Sequence, residues 1–334
     1  MTETAPPRPE VDLPDASGAD GPGPKRAGWA QRFLPWLITI ACFGYLYSRI
    51  ASQAGREGLS AAAYLGRIFA SVDWGIWLAL MIPYSFFYFL IDTALLWRVV
   101  NWFNTRIGYL DLFPVRASTY IISILNEQVG KGAIAIYLNR RNGVPAWQVG
   151  SSMVFIMFCE FFYLLTWALI GSLVSWDRVP ELFHAIPIIA AGAAVVFAVI
   201  VFLFRSERAN GFTMRERQIF SSFRQAAPWQ YLAVIVIRSP ALLGAVWVYA
   251  QAAALFGVEI GLIEMLGVLP VIFFGTLIPG PFRAAAVTLW PTLFADHAAQ
   301  MTAFGFVQHN FFVLFNAAIG LLFLRRANRE IFDR

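Results

Sequence analysis

Charged residues are scarce in this chain of 334 residues. Asp, Glu, Lys and Arg make up 13% of it, whereas a soluble globular domain contains about 25%. Hydrophobic residues account for 59%, and the mean hydropathy is +0.62. This composition excludes a soluble globular protein and predicts an all-α polytopic membrane protein.

Cysteine and histidine are also rare, with two and three copies. Cys42 and Cys159 lie in apolar runs and lack the spacing that is typical of a zinc site or a structural disulfide. Motifs for a nucleophilic serine, a metalloprotease or a P-loop are absent from the sequence, and the longest polar loop, at about 205–228, is too short for a catalytic domain. We therefore expect no metal, no cofactor and no enzymatic activity.

Residues 1–28 contain six prolines and almost no large apolar side chains. Such a segment buries too little surface to offset the entropy of ordering it, so we predict a disordered cytoplasmic tail. Because these polar residues precede the first apolar run, that run is predicted to be a retained span and not a signal peptide. We assign the membrane domain to 29–326 and a second cytoplasmic tail to 327–334.

Six apolar runs have the roughly 17–25 residues that a transmembrane helix requires. They cover about 33–50, 74–97, 145–176, 185–204, 230–256 and 299–324. Two further segments, at about 114–139 and 260–292, are long enough but are interrupted by Gly, Pro and charged residues. We expect these two segments to be re-entrant, each returning to the side of the membrane from which it enters.

The distribution of Lys and Arg supports this topology, because basic residues accumulate in short cytoplasmic loops. With the N-terminus inside and both broken segments re-entrant, 17 basic residues, Arg116 among them, lie inside and four lie outside. A full crossing by the first broken segment alone would move the Arg-rich loop at 205–224 to the outer side. The distribution predicts a multi-pass protein of the bacterial inner membrane with both termini in the cytoplasm. It also explains the net charge of +5 without a nucleic-acid partner.

The order of spans and broken segments occurs twice along the chain. Repeat one covers about 33–176 and repeat two covers about 185–324, and each has three full crossings. An odd number of crossings inverts the second repeat relative to the first. Inverted repeats are common in secondary transporters, whose substrate sites form near mid-membrane where interrupted segments of the two halves meet.

Each broken segment carries one basic residue soon after a glycine: Lys131 in VGKGAIAIYL and Arg283 in IPGPFRAAAVTLW. A helix that begins inside the membrane points unpaired N–H groups and the positive end of its dipole at the break, so a basic residue there favours an anion site. The alternatives are an ion pair between Lys131 and Glu127 one helical turn earlier, and extension of Arg283 to the outer interface.

Several polar residues in apolar surroundings are further candidates for a substrate path. Asn126, Glu127 and Gln128 precede the first break, where they either face a cavity or lie at the aqueous rim of the loop. Glu160 lies near the middle of its span, in MFCEFFYLL. Placing an ionisable group at such a position costs free energy and requires a partner, so Glu160 is the strongest carboxylate candidate.

Ionisable and polar residues also occur in three other spans. Asp92 and Arg238 lie nearer the inner ends of their spans, where solvation at the interface is the favoured interpretation, and Arg238 remains a candidate binding residue. Gln308, His309 and Asn310 are consecutive in the last span, so at most two of them face one cavity. His309 either relays protons or forms a hydrogen bond between helices.

The stretch VGKGAIAIYLNRRNGVPAWQVGSSMVFIMFCEFFYLLTWALIG resembles the first signature of the flippase-like, lysylphosphatidylglycerol synthase transmembrane-region family. LPVIFFGTLIPGPFRAAAVTLWPTLF is similar to the second signature, and the resemblance extends over about 30–325. It implies a lipid-translocating membrane domain. Some members carry a soluble aminoacyl-transferase domain that has no counterpart in these residues, so synthase activity is not implied. The chain departs from the family pattern at Cys159 and Glu160, and again at Pro281, Phe282 and Arg283.

The leading hypothesis is a flippase-like transporter that moves an anionic or zwitterionic phospholipid, or a polyprenyl-linked lipid, between leaflets. Lys131 and Arg283 bind the headgroup in this hypothesis, while Glu160 and His309 line the polar path. The expected partners are membrane lipids, with a second copy of the chain or a separate soluble lipid-modifying enzyme as further possibilities. A membrane-embedded lipid or glycan transferase and a non-transporting assembly subunit are the alternatives.

Overall fold

The computed structural model describes residues 29–123, 127–205, 217–278 and 283–332, with side chains described within 36–121, 132–205, 217–278 and 283–324. These ranges contain α-helices and short 3-10 turns but no strand, and several of the helices are long and apolar, which confirms the prediction of an all-α polytopic membrane protein. The predicted tail at 1–28 lies outside the described residues. The described α-helices are α1 (Trp29–Arg56), α2 (Ala61–Ser71), α3 (Trp74–Phe103), α4 (Tyr109–Ser123), α5 (Glu127–Asn142), α6 (Ala146–Val174), α7 (Ile186–Arg205), α8 (Ser221–Gln225), α9 (Pro228–Ala254), α10 (Leu262–Gly275), α11 (Ala284–Leu293) and α12 (Ala298–Phe332).

Five helical segments in the described part are long and apolar enough to cross a membrane. They correspond to five of the six predicted runs and comprise Trp74–Phe103, Ala146–Val174, Glu181–Arg205, Pro228–Ala254 and Ala295–Leu324. The remaining predicted run lies in α1, which has 28 residues but is less apolar than the other five over its described part. Its length of about 42 Å still exceeds the roughly 30 Å of a hydrocarbon core.

The two broken segments each form a pair of short helices that pack against one another. Helices α4 and α5 have 15 and 16 residues, and α10 and α11 have 14 and 10. At 1.5 Å per residue, none of these helices is longer than about 24 Å, so none can cross the core alone. Because the two helices of each pair are in contact, each segment folds back as a hairpin, as the sequence predicts for a re-entrant element.

Each hairpin packs most extensively against the last long helix of the opposite repeat. Helix α4 of repeat one lies along α12, and α10 of repeat two lies along α6. The central helices α3 and α9 pack against each other. Exchanging the two repeats leaves these pairings unchanged, which is the contact pattern expected of two related structural repeats.

In both of these pairings, α4 with α12 and α10 with α6, a glycine of the long helix closely approaches a backbone carbonyl group of the hairpin helix. A Cβ atom at Gly171 in α6 would lie 2.3 Å from the carbonyl oxygen of Leu266, and one at Gly320 in α12 would lie 2.4 Å from that of Ala117. The same number of residues separates Gly171 from Gly320 and Ala117 from Leu266. Small residues permit such close packing of helices in membranes, where lipid supplies no hydrophobic force between them. The two contacts are therefore equivalent positions of the two repeats.

Helix α1 fixes the position of the second hairpin through polar contacts. The Tyr45 hydroxyl lies 3.2 Å from the Thr292 hydroxyl at the end of α11. The Gln53 side chain donates to the Asp296 carbonyl oxygen at 3.1 Å and accepts from the Ala299 N–H at 2.6 Å. These bonds hold the turn between α11 and α12 against α1. They thereby fix the position of α11 in the second hairpin.

We predict that Gly171→Ala destabilises the protein by about 1–3 kcal/mol, because the added methyl group overlaps backbone atoms that cannot move independently. Thermal unfolding in detergent, followed by circular dichroism, measures the change. The matched control is Gly192→Ala in α7, where a Cβ atom meets open space and the substitution favours the helix. A Gly171→Ala protein that unfolds at or above the temperature of the control contradicts the close approach of α6 to α10.

Candidate functional site

A cavity lies between the two repeats and is bounded by α3 and α6 from repeat one and by α9, α10 and α12 from repeat two. It encloses about 80 Å³, which is room for several water molecules. Glu160 lies at the midpoint of α6 and His309 at the middle of the span Ala295–Leu324, so the cavity is at half the depth of the bundle. Its lining residues are Tyr84, Tyr88, Glu160, Tyr163, Leu164, Arg238, Ala241, Leu242, Tyr249, Phe273, Thr276, Leu277, Arg283, His309 and Phe312.

Arg238 in α9 forms ion pairs with two carboxylates of the other repeat. Its Nη2 atom donates to Glu160 Oε1 in α6 at 2.7 Å, and its Nη1 atom lies 3.0 Å from Asp92 Oδ1 in α3. The Arg238 and Asp92 side chains are each 6% exposed, and that of Glu160 is 17% exposed. This arginine therefore links repeat two to two helices of repeat one at the wall of the cavity.

Asp92 has a second set of partners in the first hairpin. Arg116 in α4 donates from Nε to Asp92 Oδ2 at 2.6 Å, and the Tyr120 hydroxyl donates to the same oxygen at 2.7 Å. Two arginines and two carboxylates thus form one continuous buried network. Buried charges are tolerated when they are paired and hydrogen-bonded, because these interactions offset the loss of hydration.

The network leaves several polar atoms without a hydrogen-bond partner in the described part of the chain. Arg238 Nε is buried without a hydrogen-bond partner in the described part of the chain, and the guanidinium lies 5.3 Å from the centre of the Tyr88 ring. The described hydrogen bonds of Glu160 use only Oε1, so Oε2 is open to another donor. A donor that enters the cavity therefore meets Glu160, whereas Arg238 Nε is buried.

Arg283 differs from the other arginines of the site because no carboxylate within the described residues pairs with it. It precedes α11 in the left-handed backbone conformation, with φ 49° and ψ 37°, which is unusual and costly for a non-glycine residue. Its guanidinium lies 5.6 Å from the centre of the Phe312 ring and lines the cavity. The first N–H groups of α11 lie beside it, so positive charge and backbone donors occur together.

Polar residues of α12 are held by specific hydrogen bonds. His309 Nε2 accepts from Trp290 Nε1 at 3.2 Å, and Gln308 Nε2 donates to the Tyr249 hydroxyl. Asn310 Nδ2 donates to the Phe306 carbonyl oxygen of its own helix. His309 and Tyr249 line the cavity, whereas Gln308 is not among its lining residues.

The structure brings together Glu160, Arg238, Arg283 and His309 from the predicted site residues, since all four line the cavity. The alternative in which Arg283 extends to the outer interface is not observed, because Arg283 lines this cavity. Solvation of Asp92 and Arg238 at the membrane interface is wrong, because each residue is 5% exposed and is paired inside the bundle. The prediction for these two residues used only their distance from the helix ends. That distance does not reveal which side chains of neighbouring helices pair with them.

The predictions at the first break stay predictions. The side chains of Asn126, Glu127, Gln128 and Lys131 lie outside the described residues, although α5 begins at Glu127. Whether Glu127 pairs with Lys131 is therefore an open alternative.

Arg116, Tyr88 and Trp290 were missed as candidates. The charge count placed Arg116 with the inner loops, whereas its side chain is 11% exposed and paired with Asp92. A usable signal was present: a carboxylate within an apolar span requires a cation, and Arg116 is the nearest basic residue in a broken segment. Tyr88 and Trp290 are aromatic residues in an aromatic-rich chain and give no such signal.

Comparison of the chain with protein-family models, with curated proteins and with solved structures finds no match.

We predict that Arg238→Met destabilises the protein by about 3–5 kcal/mol, because Glu160 loses its hydrogen-bonded cation and stays buried. The double variant Glu160→Gln/Arg238→Met is expected to regain part of that stability, and thermal unfolding in detergent measures both. The control is Arg67→Met, which breaks the exposed pair with Glu57 and is expected to change little because water screens that pair. Equal effects of Arg238→Met and Arg67→Met are incompatible with a buried network.

Proposed function

We propose that this protein is a flippase-like lipid transporter of the bacterial inner membrane, which moves an anionic or zwitterionic phospholipid between leaflets. The observation that carries this proposal is a cationic cavity at half the depth of the bundle, formed between two structural repeats and containing an arginine without a carboxylate partner in the described part. A membrane protein with such a cavity can shelter a charged headgroup from hydrocarbon while the acyl chains stay in lipid.

The position of the cavity supports transport by movement of the repeats. In transporters built from repeats, the substrate lies at the interface of the halves, and one half rocks against the other around it. Residues of both repeats line this cavity, among them Glu160 and Arg238, which pair across the interface. Relative movement of the repeats therefore changes the geometry around a bound headgroup.

The chemistry of the site supports a phosphate-bearing ligand. A guanidinium presents several N–H donors in a fixed plane that matches phosphate oxygens, and helix N-termini add backbone donors. Arg283 combines both features, since it lines the cavity and directly precedes α11. The headgroup phosphate is expected to bind Arg283 first, with Lys131 of the first hairpin as the second predicted contact.

The size of the cavity favours a small headgroup over a polyprenyl-linked glycan. Its volume of about 80 Å³ is well below the roughly 300–1,000 Å³ of pockets that enclose drug-sized ligands. The resemblance of the two broken segments to the signatures of a flippase-like family supports a lipid as the cargo. A phospholipid with a compact headgroup is therefore the proposed cargo.

Reconstitution in liposomes with acyl-labelled phospholipids tests transport. In vesicles with label in both leaflets, a membrane-impermeant quencher removes about half of the signal without transport and nearly all of it when the protein moves lipid. We predict that Arg283→Asn lowers the rate about tenfold or more, because asparagine tolerates the left-handed backbone but carries no charge. Lys131→Ala tests the first hairpin in the same assay.

The matched control is Arg67→Gln, which removes an exposed arginine remote from the cavity. It is expected to move lipid at the rate of the unaltered protein. Unchanged rates in Arg283→Asn and Lys131→Ala would falsify the headgroup assignment. If no phospholipid moves in a protein-dependent manner, the proposed transport function is wrong.

A further inference from the structure

Glu160 is the only carboxylate that lines the cavity within the described part of the chain. Its Oε1 atom accepts from Arg238 Nη2 at 2.7 Å, and the described hydrogen bonds leave Oε2 open. The Glu160 side chain is 17% exposed, compared with 6% for Asp92, and it borders a space that holds several water molecules. A proton carried by water in the cavity can therefore reach Glu160, whereas Asp92 does not line the cavity.

Ionisable side chains face Glu160 from most of the helices that bound the cavity. Helix α10 contributes Phe273, Thr276 and Leu277 to the wall or directly beyond its end, and none of these titrates. The described basic residues of α5, α7 and α8, which also pack against α6, lie in the last turns of those helices and do not line the cavity. The side chains of Glu127 and Lys131 lie outside the described residues. The ionisable groups that share the cavity wall with Glu160 are Tyr88, Tyr163, Arg238, Tyr249, Arg283 and His309.

Arg238 keeps a second carboxylate when Glu160 is protonated. Its Nη1 atom lies 3.0 Å from Asp92 Oδ1, and Arg116 and Tyr120 of the first hairpin hold Asp92 in place. Breaking a buried ion pair is strongly destabilising when the remaining charge has no other partner, and Arg238 has one. Protonation of Glu160 is therefore compatible with the fold, and it removes one of the two ion pairs that join Arg238 to repeat one.

His309 is less suited to bind this proton. The indole nitrogen of Trp290 is a donor only, so His309 Nε2 at 3.2 Å accepts that hydrogen bond with its lone pair. Protonation of Nε2 breaks this bond and adds a positive charge to a wall that already contains Arg283. Protonation of Glu160 breaks no hydrogen bond at Oε2 and removes a charge from a buried position.

We propose that Glu160 is a proton-binding site that couples transport to a proton gradient, because a proton on Glu160 and a phosphate anion in the cavity favour the binding of each other. Ionised Glu160 and a phosphate anion repel one another and compete for the cations of the wall, Arg238 and Arg283. Protonation of Glu160 removes both effects. By linkage, the proton strengthens phosphate binding by the same factor by which phosphate strengthens proton binding. Carboxylates that relay protons are a recognised reason for an ionisable group inside a membrane.

This inference rests on the proposed function for the identity of the anion, and it adds a direction to transport. In the loaded state, the proton and the phosphate occupy the cavity together and leave it on the same side of the membrane. They therefore move in the same direction. An acidic outer side consequently drives phospholipid toward the inner leaflet.

Binding in detergent tests the coupling without transport. The probe is dihexanoyl phosphatidylmethanol, a phosphodiester that has no proton to titrate near neutral pH. Thermal stabilisation of the full-length protein measures its affinity at a series of pH values, and infrared difference spectra detect a protonated carboxyl group. Uptake of one proton per ligand makes binding about tenfold tighter for each unit by which the pH falls, and that is the expected slope. Addition of the probe is also expected to produce the infrared band of a protonated carboxyl group.

Variants assign the proton to its residue. Glu160→Gln resembles the protonated side chain but exchanges no proton, so we expect its affinity for the probe to be independent of pH and the infrared band to be absent. Glu160→Asp is expected to keep both responses with a shifted band, which identifies the residue even when Glu160→Gln does not fold. His309→Gln is expected to keep the band. The matched control is Glu57→Gln, which removes an exposed carboxylate and is expected to behave like the unaltered protein.

A pH gradient across liposomes tests the direction of transport. Acyl-labelled phosphatidylmethanol is expected to accumulate in the leaflet that faces the alkaline compartment, above its level in protein-free liposomes. The orientation of the inserted protein does not alter this result, because the gradient sets the direction. A membrane-impermeant quencher measures the distribution of the label, and Glu160→Gln is expected to abolish the accumulation.

The outcomes separate this inference from the proposed function. Binding that takes up a proton at Glu160, without movement of any lipid, supports the coupling and overturns transport. Binding or movement that depends on neither pH nor the gradient overturns the coupling and leaves transport intact. A pH dependence that persists unchanged in Glu160→Gln overturns the assignment to Glu160. Absence of both binding and movement overturns the coupling and the proposed function together.

Discussion

The need to neutralise charge inside an apolar bundle governs this structure. Arg238 is 5% exposed, so its charge is neutralised within the bundle by Asp92 and Glu160, and Asp92 in turn is bound by Arg116. This chain of pairs fixes α9 against α3 and α6, and attaches the first hairpin to the same point. Once the network is satisfied, Arg283 is the cavity cation left over among the described residues, and for that reason it is the centre of the candidate site.

Packing of the hairpins couples the two repeats mechanically. Each hairpin lies along the last long helix of the other repeat, at a glycine that brings the backbones into contact. The separation that relates Gly171 to Gly320 also relates Glu160 to His309, and both of these equivalent positions line the cavity. A hairpin cannot shift without displacing the helix that carries one of these residues, because close-packed helices do not deform continuously.

The fold was largely predictable because hydropathy and helix length are local properties of the chain. Five of the six expected runs recur as candidate spans, and the Gly and Pro breaks near 114–139 and 260–292 correspond to the two hairpins. Glu160, Arg283 and His309 were identified because a polar residue in an apolar run is energetically costly unless it has a partner or a function. Arg116 was missed because the charge count considers only which side of the membrane a residue is on and ignores pairing between helices.

The sequence by itself determined the class of protein, the positions of five long apolar helices and the presence of two interrupted segments, because all three follow from composition and periodicity along the chain. Only the tertiary structure decided which charges neutralise one another. Asp92, Arg116, Glu160 and Arg238 are far apart in sequence and meet through the packing of four helices. Charge compensation is a property of neighbours in space, so the residual charge at Arg283 became evident only after the helices were assembled.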